Sequence, residues 1–313
     1  MKKIYLLSAI LATTLSFGQQ SLPFTDTFSH AAGNLHETSP WSALGTPNAS
    51  DHILLDGSKV TFDGLGTDAQ VIIASQTTGT IYYKFTINVL SMAGVTDVNG
   101  GYLAGFSQNT TTFGGTLWTK RIDDSSFNLG IETRTATAAG TTWAPGTYTT
   151  GTNYTVVVAY TFGAGASDDT TKLWVNPTAG DEATPLITDT HTGTDLSSIV
   201  SFFLRQDSVT ETPSVEVDNL KVSTTFADVL SNSRFDAIAG LKIYPNPVVD
   251  GKLFISTDLN TAKTVSIYDI LGKQVLNTRI SNEVINVTSL KTGVYVVKIT
   301  EEGKTATRKL VIK

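Results

Sequence analysis

Runs that place an apolar residue at every second position are the strongest constraint on how this chain folds. Residues 81–89 (IYYKFTINV) and 153–162 (NYTVVVAYTF) both follow this pattern. Since successive side chains of a strand point to opposite faces, each run predicts a strand with one buried face. No helical period lasts ten residues, and further runs of period two follow: FNLGIETR, TKLWVNP, SIVSFFLRQ and SVEVDNLKVS. The pattern predicts an all-β protein with antiparallel sheets.

The number of strands predicts a large first domain over residues 19–227. Stretches rich in Gly, Asp and Thr separate the runs, as between Gly163 and Thr171. About 200 residues is too long for an immunoglobulin domain of about 100. The length suits a larger antiparallel jelly roll of two packed sheets.

A second, smaller domain is predicted over residues 239–313. Short alternating strands joined by Gly turns fill this tract and indicate an immunoglobulin-like β-sandwich. Residues 235–313 hold eleven Lys and Arg against seven Asp and Glu, whereas residues 19–234 hold nine against twenty-one. This change of sign supports a boundary, and residues 228–238 are predicted to be the linker.

The start of the chain predicts export. Lys2 and Lys3 precede an apolar stretch of about a dozen residues, and small residues follow up to Gly18. This is typical of a signal peptide over residues 1–18, cleaved between Gly18 and Gln19. No later run approaches the roughly 18 apolar residues of a membrane span. The net charge of −6 argues against nucleic acid as a partner, and the absence of Cys excludes disulfides.

Three short blocks in the second domain carry a family resemblance. Tyr244, Pro245, Asn246 and Pro247 form the first, GVYVVKI with Gly293 and Tyr295 the second, and KLVIK with Lys309, Leu310 and Val311 the third. In this order the blocks closely resemble the type A C-terminal sorting domain of the type IX secretion system. The resemblance implies recognition by the outer-membrane translocon, cleavage by a cell-surface sortase, and an extracellular or cell-surface location.

Residues 22–230 resemble concanavalin A-like lectin and glucanase domains of secreted bacterial proteins. The resemblance rests on LPFTDTFSHAAGNL with Trp41, on KLWVNP, and on VEVDNLKVSTTFADV. Lectins, glycosidases, lyases and structural modules share that fold, so the resemblance does not select a function.

The acids and histidines give no convincing catalytic pattern. In the closing strand Glu216 and Asp218 share a face, but Leu220 occupies the third position at which glycosidases of this fold carry an acid. Asp218, with the acidic loops 163–171 and 180–184, is instead a candidate ligand of one structural Ca²⁺. His30, His36, His52 and His191 lack metal-ligand spacing and are interpreted as surface or turn residues.

Tryptophans beside polar residues are the better candidates for ligand binding, because the apolar face of a sugar stacks on an aromatic ring. We therefore expect a non-catalytic secreted protein that binds polysaccharide or acts in adhesion and requires no cofactor. A polysaccharide-degrading enzyme and a structural surface module are the alternatives. The candidate ligand-binding residues are Trp118, Arg121, Trp143, Lys172, Trp174 and Asn176.

Overall fold

The computed structural model divides the chain into two compact units, one ending at Ser231 and the other beginning at Asn232. It describes residues 18–47, 50–135, 140–190, 193–231, 238, 240–281, 283–302 and 304–313. The predicted signal peptide lies outside the described residues except for Gly18. Among the described residues, no helix has the length and apolar character needed to cross a membrane.

The larger unit consists almost entirely of strands. Its strands are β1 (Phe24–Asp26), β2 (Gly33–Asn34), β3 (Trp41–Ala43), β4 (Leu54–Leu55), β5 (Val60–Phe62), β6 (Ala69–Gln76), β7 (Thr80–Ser91), β8 (Gly101–Asn109), β9 (Thr112–Asp123), β10 (Ser126–Thr135), β11 (Thr142–Trp143), β12 (Tyr148–Thr149), β13 (Asn153–Thr161), β14 (Thr170–Val175), β15 (Ile187–Thr190), β16 (Ile199–Leu204) and β17 (Ser214–Ser223). A short 3-10 helix, η1 (Leu35–Glu37), and one α-helix, α1 (Phe226–Leu230), complete it.

These strands form two antiparallel sheets. The nine-stranded sheet has the order β15-β14-β13-β7-β17-β5-β4-β2, with β1 paired to β17. The eight-stranded sheet has the order β11-β10-β9-β8-β16-β6-β3, with β12 paired to β10. The all-β prediction, with a large antiparallel sandwich, is confirmed.

Aromatic rings from both sheets interlock in the core, as the alternation in β7 predicts. Tyr83 of the nine-stranded sheet lies 5.1 Å, between ring centroids, from both Phe106 and Phe202 of the eight-stranded sheet. Its hydroxyl donates a hydrogen bond of 3.0 Å to the carbonyl of Gly115 in β9. A buried Tyr thus adds its apolar area to the core while its polar end remains paired.

The carboxylate of Asp26 connects the two sheets at the start of the large unit. Asp26 lies in β1 of the nine-stranded sheet and is 6% exposed. It accepts hydrogen bonds from the indole Nε1 of Trp41 in β3 of the other sheet (2.7 Å) and from the backbone N–H of Phe28 (2.7 Å). His30 Nε2 lies 3.0 Å from both carboxylate oxygens. One buried acid therefore satisfies two buried donors, the Trp41 indole and the Phe28 N–H, and also contacts the partly exposed His30 ring.

Helix α1 ends the larger unit and covers part of the nine-stranded sheet. The hydroxyl of Thr225 caps it by accepting from the N–H of Asp228 at 3.2 Å. The helix buries its own Phe226 and Val229 against side chains of this sheet. The predicted linker, 228–238, therefore begins inside a packed helix, while residues 232–237 lie outside the described residues.

The smaller unit is a two-sheet β-sandwich, as predicted. One sheet has the order β18-β19-β22 and the other β21-β20-β23-β24. A cluster of buried aliphatic side chains, including Val265, Ile267, Val297 and Ile299, forms its core. Its strands are β18 (Lys242–Tyr244), β19 (Lys252–Ser256), β20 (Lys263–Tyr268), β21 (Gln274–Ile280), β22 (Val284–Asn286), β23 (Gly293–Glu301) and β24 (Lys304–Ile312).

Replacing Asp26→Ala should destabilise the larger unit by about 2–5 kcal/mol, because the Trp41 indole and the Phe28 N–H would remain buried without an acceptor. Urea unfolding followed by tryptophan fluorescence measures this, since all four tryptophans lie in that unit. Asp124→Ala is the matched control, because its carboxylate lies in an exposed pair and its loss should cost less than about 0.5 kcal/mol. Equal unfolding midpoints for the two variants would contradict the role assigned to Asp26.

Candidate functional site

The first of the three blocks in the smaller unit lies beside the last strand. Val248 accepts a backbone hydrogen bond from Lys313 and donates one to Val311. Between the two prolines, the side chain of Asn246 donates to the carbonyl of Lys309 at 2.8 Å and accepts from the N–H of Val311 at 2.9 Å. Because proline has no N–H, the Asn246 amide supplies the donor that the neighbouring backbone lacks.

The second and third blocks are paired strands. In the β23–β24 register, Tyr295 lies opposite Leu310, and Gly293 lies opposite Ile312. Leu310 is fully buried, and the hydroxyl of Tyr295 donates to the carbonyl of Lys291 at 2.8 Å. Tyr244 stacks on Phe254 with 5.4 Å between ring centroids. The first block thus begins in the three-stranded sheet and then contacts β24, the edge strand of the four-stranded sheet that holds the other two blocks.

A cleft of about 290 Å³ lies in the larger unit, on the face of the eight-stranded sheet that points away from the main core. In β16, Phe202 and Leu204 belong to the main core, whereas Phe203 packs with Phe113 on the opposite face. The cleft combines aromatic rings with acids and hydroxyls. Its lining residues are Asp97, Asn99, Gly100, Tyr102, Thr111, Phe113, Trp118, Thr135, Asp207 and Glu211.

Aromatic side chains form the apolar part of the cleft. The ring of Tyr102 lies 5.1 Å from that of Trp118 and 6.2 Å from that of Phe113, between centroids. Trp118 is 5% exposed, and its Nε1 donates to the Thr116 hydroxyl at 2.9 Å. Tyr102 is half-buried, which makes it the more accessible ring for a ligand.

Arg205 forms a positive group next to these rings. Its guanidinium lies 4.9 Å from the Tyr102 centroid and 5.6 Å from that of Phe113. It also pairs with Asp68 at 3.1 Å and with Asp207 at 2.6 Å. Burial acts to lower the pKa of Arg205, but Tyr102, Asp68 and Asp207 outweigh it and raise that pKa above its usual value. Arg205 therefore stays charged and is held in a fixed position.

Two turns place carboxyl groups at the edge of the cleft. The backbone N–H groups of Thr96 and Asp97 both donate to the carbonyl of Thr210, which joins the turns. Burial, followed by hydrogen bonding and repulsion from Asp207, raises the pKa of Glu211 to about 7. With a pKa close to neutrality, the carboxyl group of Glu211 can donate as well as accept a hydrogen bond.

Of the candidate ligand-binding residues, only Trp118 lines this cleft. Trp143 lies next to Gly100 at its edge, with the Lys120 ammonium 4.3 Å from the Trp143 ring centroid. Arg121 pairs with exposed Asp124 at 2.8 Å and is not among the lining residues.

The candidates Lys172 and Trp174 lie in β14 of the other sheet, and Asn176 directly follows that strand. The expectation that Trp174 offers its ring to a ligand is corrected by its burial. Trp174 is 3% exposed because Phe226 of α1 covers it, with 5.0 Å between ring centroids. Its Nε1 donates to the carbonyl of Asp181 at 2.7 Å. Asn176 stabilises a turn by accepting from the N–H of Thr155, and Lys172 is half-buried in the nine-stranded sheet. A sugar cannot stack on Trp174 while the helix is in place.

Glu216 and Asp218 line a smaller cavity of about 130 Å³ in the nine-stranded sheet. The Lys59 ammonium pairs with Glu216 at 2.5 Å, and Asp218 accepts from the N–H and the side-chain amide of Asn219. Burial raises the pKa of Asp218. Both acids thus have partners within the protein.

A different group of acids meets the geometric requirement for a cation. Among the described residues, Asp168, Asp169 and Asp195 bring one carboxylate oxygen each within 4.8 Å of the others. Asp169 also accepts from the Tyr160 hydroxyl and from the N–H of Gly163. The predicted loop 163–171 thus contributes two of these acids, whereas Asp218 is not part of the group.

Sequence reasoning missed the residues that dominate the cleft, namely Tyr102, Phe113, Arg205, Asp207 and Glu211. One signal was present in the strand SIVSFFLRQ, where alternation places Arg205 on the same face as Phe203 and opposite to Phe202. Asp207 and Glu211 follow that strand in a turn, where no periodicity indicates the direction of a side chain.

The family model of the secretion system C-terminal sorting domain matches residues 242–313. The predicted resemblance to the type IX sorting domain is confirmed. The domain implies secretion to the cell surface or the extracellular space and interaction with the type IX secretion machinery. No curated protein matches the chain by sequence.

Solved structures with a similar chain trace include binding proteins and an enzyme. The binding domain of botulinum neurotoxin DC in complex with SialylT shares 8% identity over 84% of this chain and 66% of its own, with a TM-score of 0.32. Peanut lectin with a 9mer peptide shares 10% identity over 64% of this chain and 96% of its own, with a TM-score of 0.35. Alginate lyase vAL-1 from Chlorella virus shares 10% identity over 59% of this chain and 88% of its own, with a TM-score of 0.28. These low likenesses identify neither a ligand nor a reaction for this chain.

Deleting residues 309–313 should leave the protein in the periplasm, because the C-terminal part of β24 and both contacts of Asn246 would be lost. Asn246→Ala should reduce export for the same reason, whereas Lys313→Ala changes only an exposed side chain and serves as the control. Cell fractionation with an antibody against the larger unit measures the outcome. Normal surface delivery of the truncated chain would contradict a sorting signal that depends on the last strand.

Calcium should raise the melting temperature of the larger unit if the acidic group binds it, by mass action on the folded state. Melts in excess chelator and in millimolar calcium compare the two states. Asp168→Asn should abolish the difference, and Asp218→Asn should leave it intact. Identical wild-type melting temperatures in both conditions would contradict calcium binding by this acidic group.

Proposed function

We propose that the larger unit binds a polysaccharide through the aromatic cleft, without cleaving it, after delivery to the cell surface by the sorting domain. The observation that carries this proposal is the combination of Tyr102 and Trp118 with carboxyl, amide and hydroxyl groups around a single cleft. A sugar ring needs this combination, because its C–H face stacks on an aromatic ring while its hydroxyls require hydrogen-bond partners at the side.

The polar groups suit a ligand rich in hydroxyls. Asp97 and Asp207 offer acceptors, Asn99 offers both a donor and an acceptor, and Thr111 and Thr135 offer hydroxyls. Glu211, with its pKa raised to about 7, can donate as well as accept near neutral pH. Arg205 is already paired with Asp68 and Asp207, so it fixes the site rather than attracting an anionic sugar.

The arrangement of the acids favours binding over hydrolysis. Glycosidases use two carboxyl groups about 5–5.5 Å or about 6.5–9.5 Å apart, one on each side of the scissile bond. Asp207 and Glu211 are hydrogen-bonded neighbours, and Asp207 is paired with Arg205. Because these two acids contact each other directly, no space remains between them for a glycosidic bond.

The sorting domain determines where this binding would take place. After export, the larger unit would meet polysaccharides at or beyond the cell surface. We extend the proposal to removal of the smaller unit by the cell-surface sortase, which leaves the larger unit either released or attached to surface lipopolysaccharide.

Binding should be weak, with dissociation constants on the order of 0.1–1 mM, since one stacked ring and a few hydrogen bonds supply it. Tyr102→Ala should weaken binding by roughly 1–2 kcal/mol, or about 5–30-fold, and Tyr102→Phe should retain most of it because the ring remains. Calorimetry against a panel of soluble polysaccharides measures both variants. Trp174→Phe is the control, because its ring lies under α1 and away from the cleft.

Three outcomes of this experiment would contradict the proposal. Wild-type affinity in Tyr102→Ala would move binding to another surface. Absence of binding to the whole panel would favour a structural surface module. Reducing ends that accumulate with the wild type and disappear with Glu211→Gln would identify a hydrolase that uses the cleft acids, whereas their loss with Glu216→Gln would place the reaction in the smaller cavity.

A further inference from the structure

Two histidines that are sixteen positions apart in the sequence lie side by side in the larger unit. His36 belongs to η1, and His52 directly precedes Ile53, whose carbonyl accepts a 2.9 Å hydrogen bond from the N–H of Leu35. That backbone contact places the two imidazole rings with centroids 5.0 Å apart and planes inclined by 36°. The pair lies outside the linings of the two cavities described above.

Each ring buries a nitrogen that has no partner. The Nδ1 atoms of His36 and of His52 are both inaccessible to solvent and lack a hydrogen bond within the described part of the chain. The His36 side chain is only 8% exposed. A buried polar atom without a partner costs free energy, so two such atoms in adjacent rings indicate a missing shared partner.

The spacing of the rings fits a metal ion as that partner. With a metal–nitrogen distance of about 2.0–2.1 Å and a tetrahedral angle, two imidazoles on one ion have centroids about 5 Å apart. The observed 5.0 Å agrees with this value. Imidazole nitrogen ligands suit Zn²⁺, Cu²⁺ or Ni²⁺, whereas the all-oxygen group of Asp168, Asp169 and Asp195 suits a harder cation.

We propose that His36 and His52 bind one divalent transition-metal ion of the zinc type through their Nδ1 atoms. The Oε1 atom of Glu37 lies 3.8 Å from Nε2 of His36, which places a carboxylate near the ring nitrogen that would not bind the metal. This distance is longer than a hydrogen bond, so Glu37 contributes charge near the ring and does not fix its tautomer.

The electrostatics of His36 favour the form that binds metal. Burial lowers the pKa of His36, Glu37 opposes this shift, and His52 adds to it. The direction of this shift agrees with metal binding, because an imidazole binds a metal in its neutral form.

Zinc chloride titrated into the full mature chain tests the proposal by calorimetry and by thermal melting. The wild type should bind one equivalent and melt at a higher temperature. His36→Ala and His52→Ala should each lower the affinity at least tenfold, and the double variant should lose the site. Asp168→Asn is the control for the acidic group and should bind zinc as the wild type does.

Electron paramagnetic resonance of the Cu²⁺-loaded protein provides a readout of the ligands themselves. Nitrogen couplings from two imidazoles should appear in the wild type and from one in each single variant. If a variant fails to fold, ¹H–¹⁵N spectra of the wild-type histidine side chains provide the test instead. Zinc should shift the Nδ1 resonances of two of the four histidines. Zinc affinity that is unchanged in the folded double variant, or the absence of binding and of shifts in the wild type, overturns the proposal.

Discussion

The buried carboxylate of Asp26 is the interaction on which the larger unit most depends. It lies in a strand of one sheet and accepts the indole N–H of Trp41 from the other sheet at 2.7 Å. It also accepts the N–H of Phe28, whose backbone has the unusual φ of 51°. A single acid thereby connects both layers of the sandwich and fixes the turn at Phe28, directly after β1. Since Trp41 packs against Phe202 in the centre of the core, removal of the carboxylate would disturb the layer that supports the cleft.

The position of the cleft follows from this two-layer construction. The inner face of the eight-stranded sheet is filled by core side chains, so its other face is free to carry polar groups. Strands supply the rings of Tyr102 and Trp118, which are held in fixed orientations by pairing and packing. Turns supply Asp97, Asp207 and Glu211. A rigid aromatic surface surrounded by acids in turns is a suitable basis for ligand binding, because the turns can vary without disturbing the sheet.

Much of the fold could be predicted from the sequence, because it depends on local periodicity. The alternation over residues 81–89 identified the buried face of β7, and the three blocks of the smaller unit identified its family. The site could not be predicted in the same way. Trp174 was expected to be accessible since its neighbours are polar, but whether a ring is covered depends on α1, which is fifty residues away in the sequence. Likewise His36 and His52 have no motif spacing, and they are brought together by the pairing of β2 with β4 and the hydrogen bond from Leu35 to Ile53.

The contacts of Asn246 with the last strand have a consequence for when the smaller unit can finish folding. During synthesis, Lys309 and Val311 emerge after every other element of the smaller unit, and only then can the Asn246 amide close on them. A chain that terminates early, or is trimmed by a protease at this end, would lack the strand that its own proline-bracketed segment is shaped to hold. The smaller unit can therefore close around Asn246 only when β24 is present, so the folded form of this unit itself reports that its final strand has been made and kept.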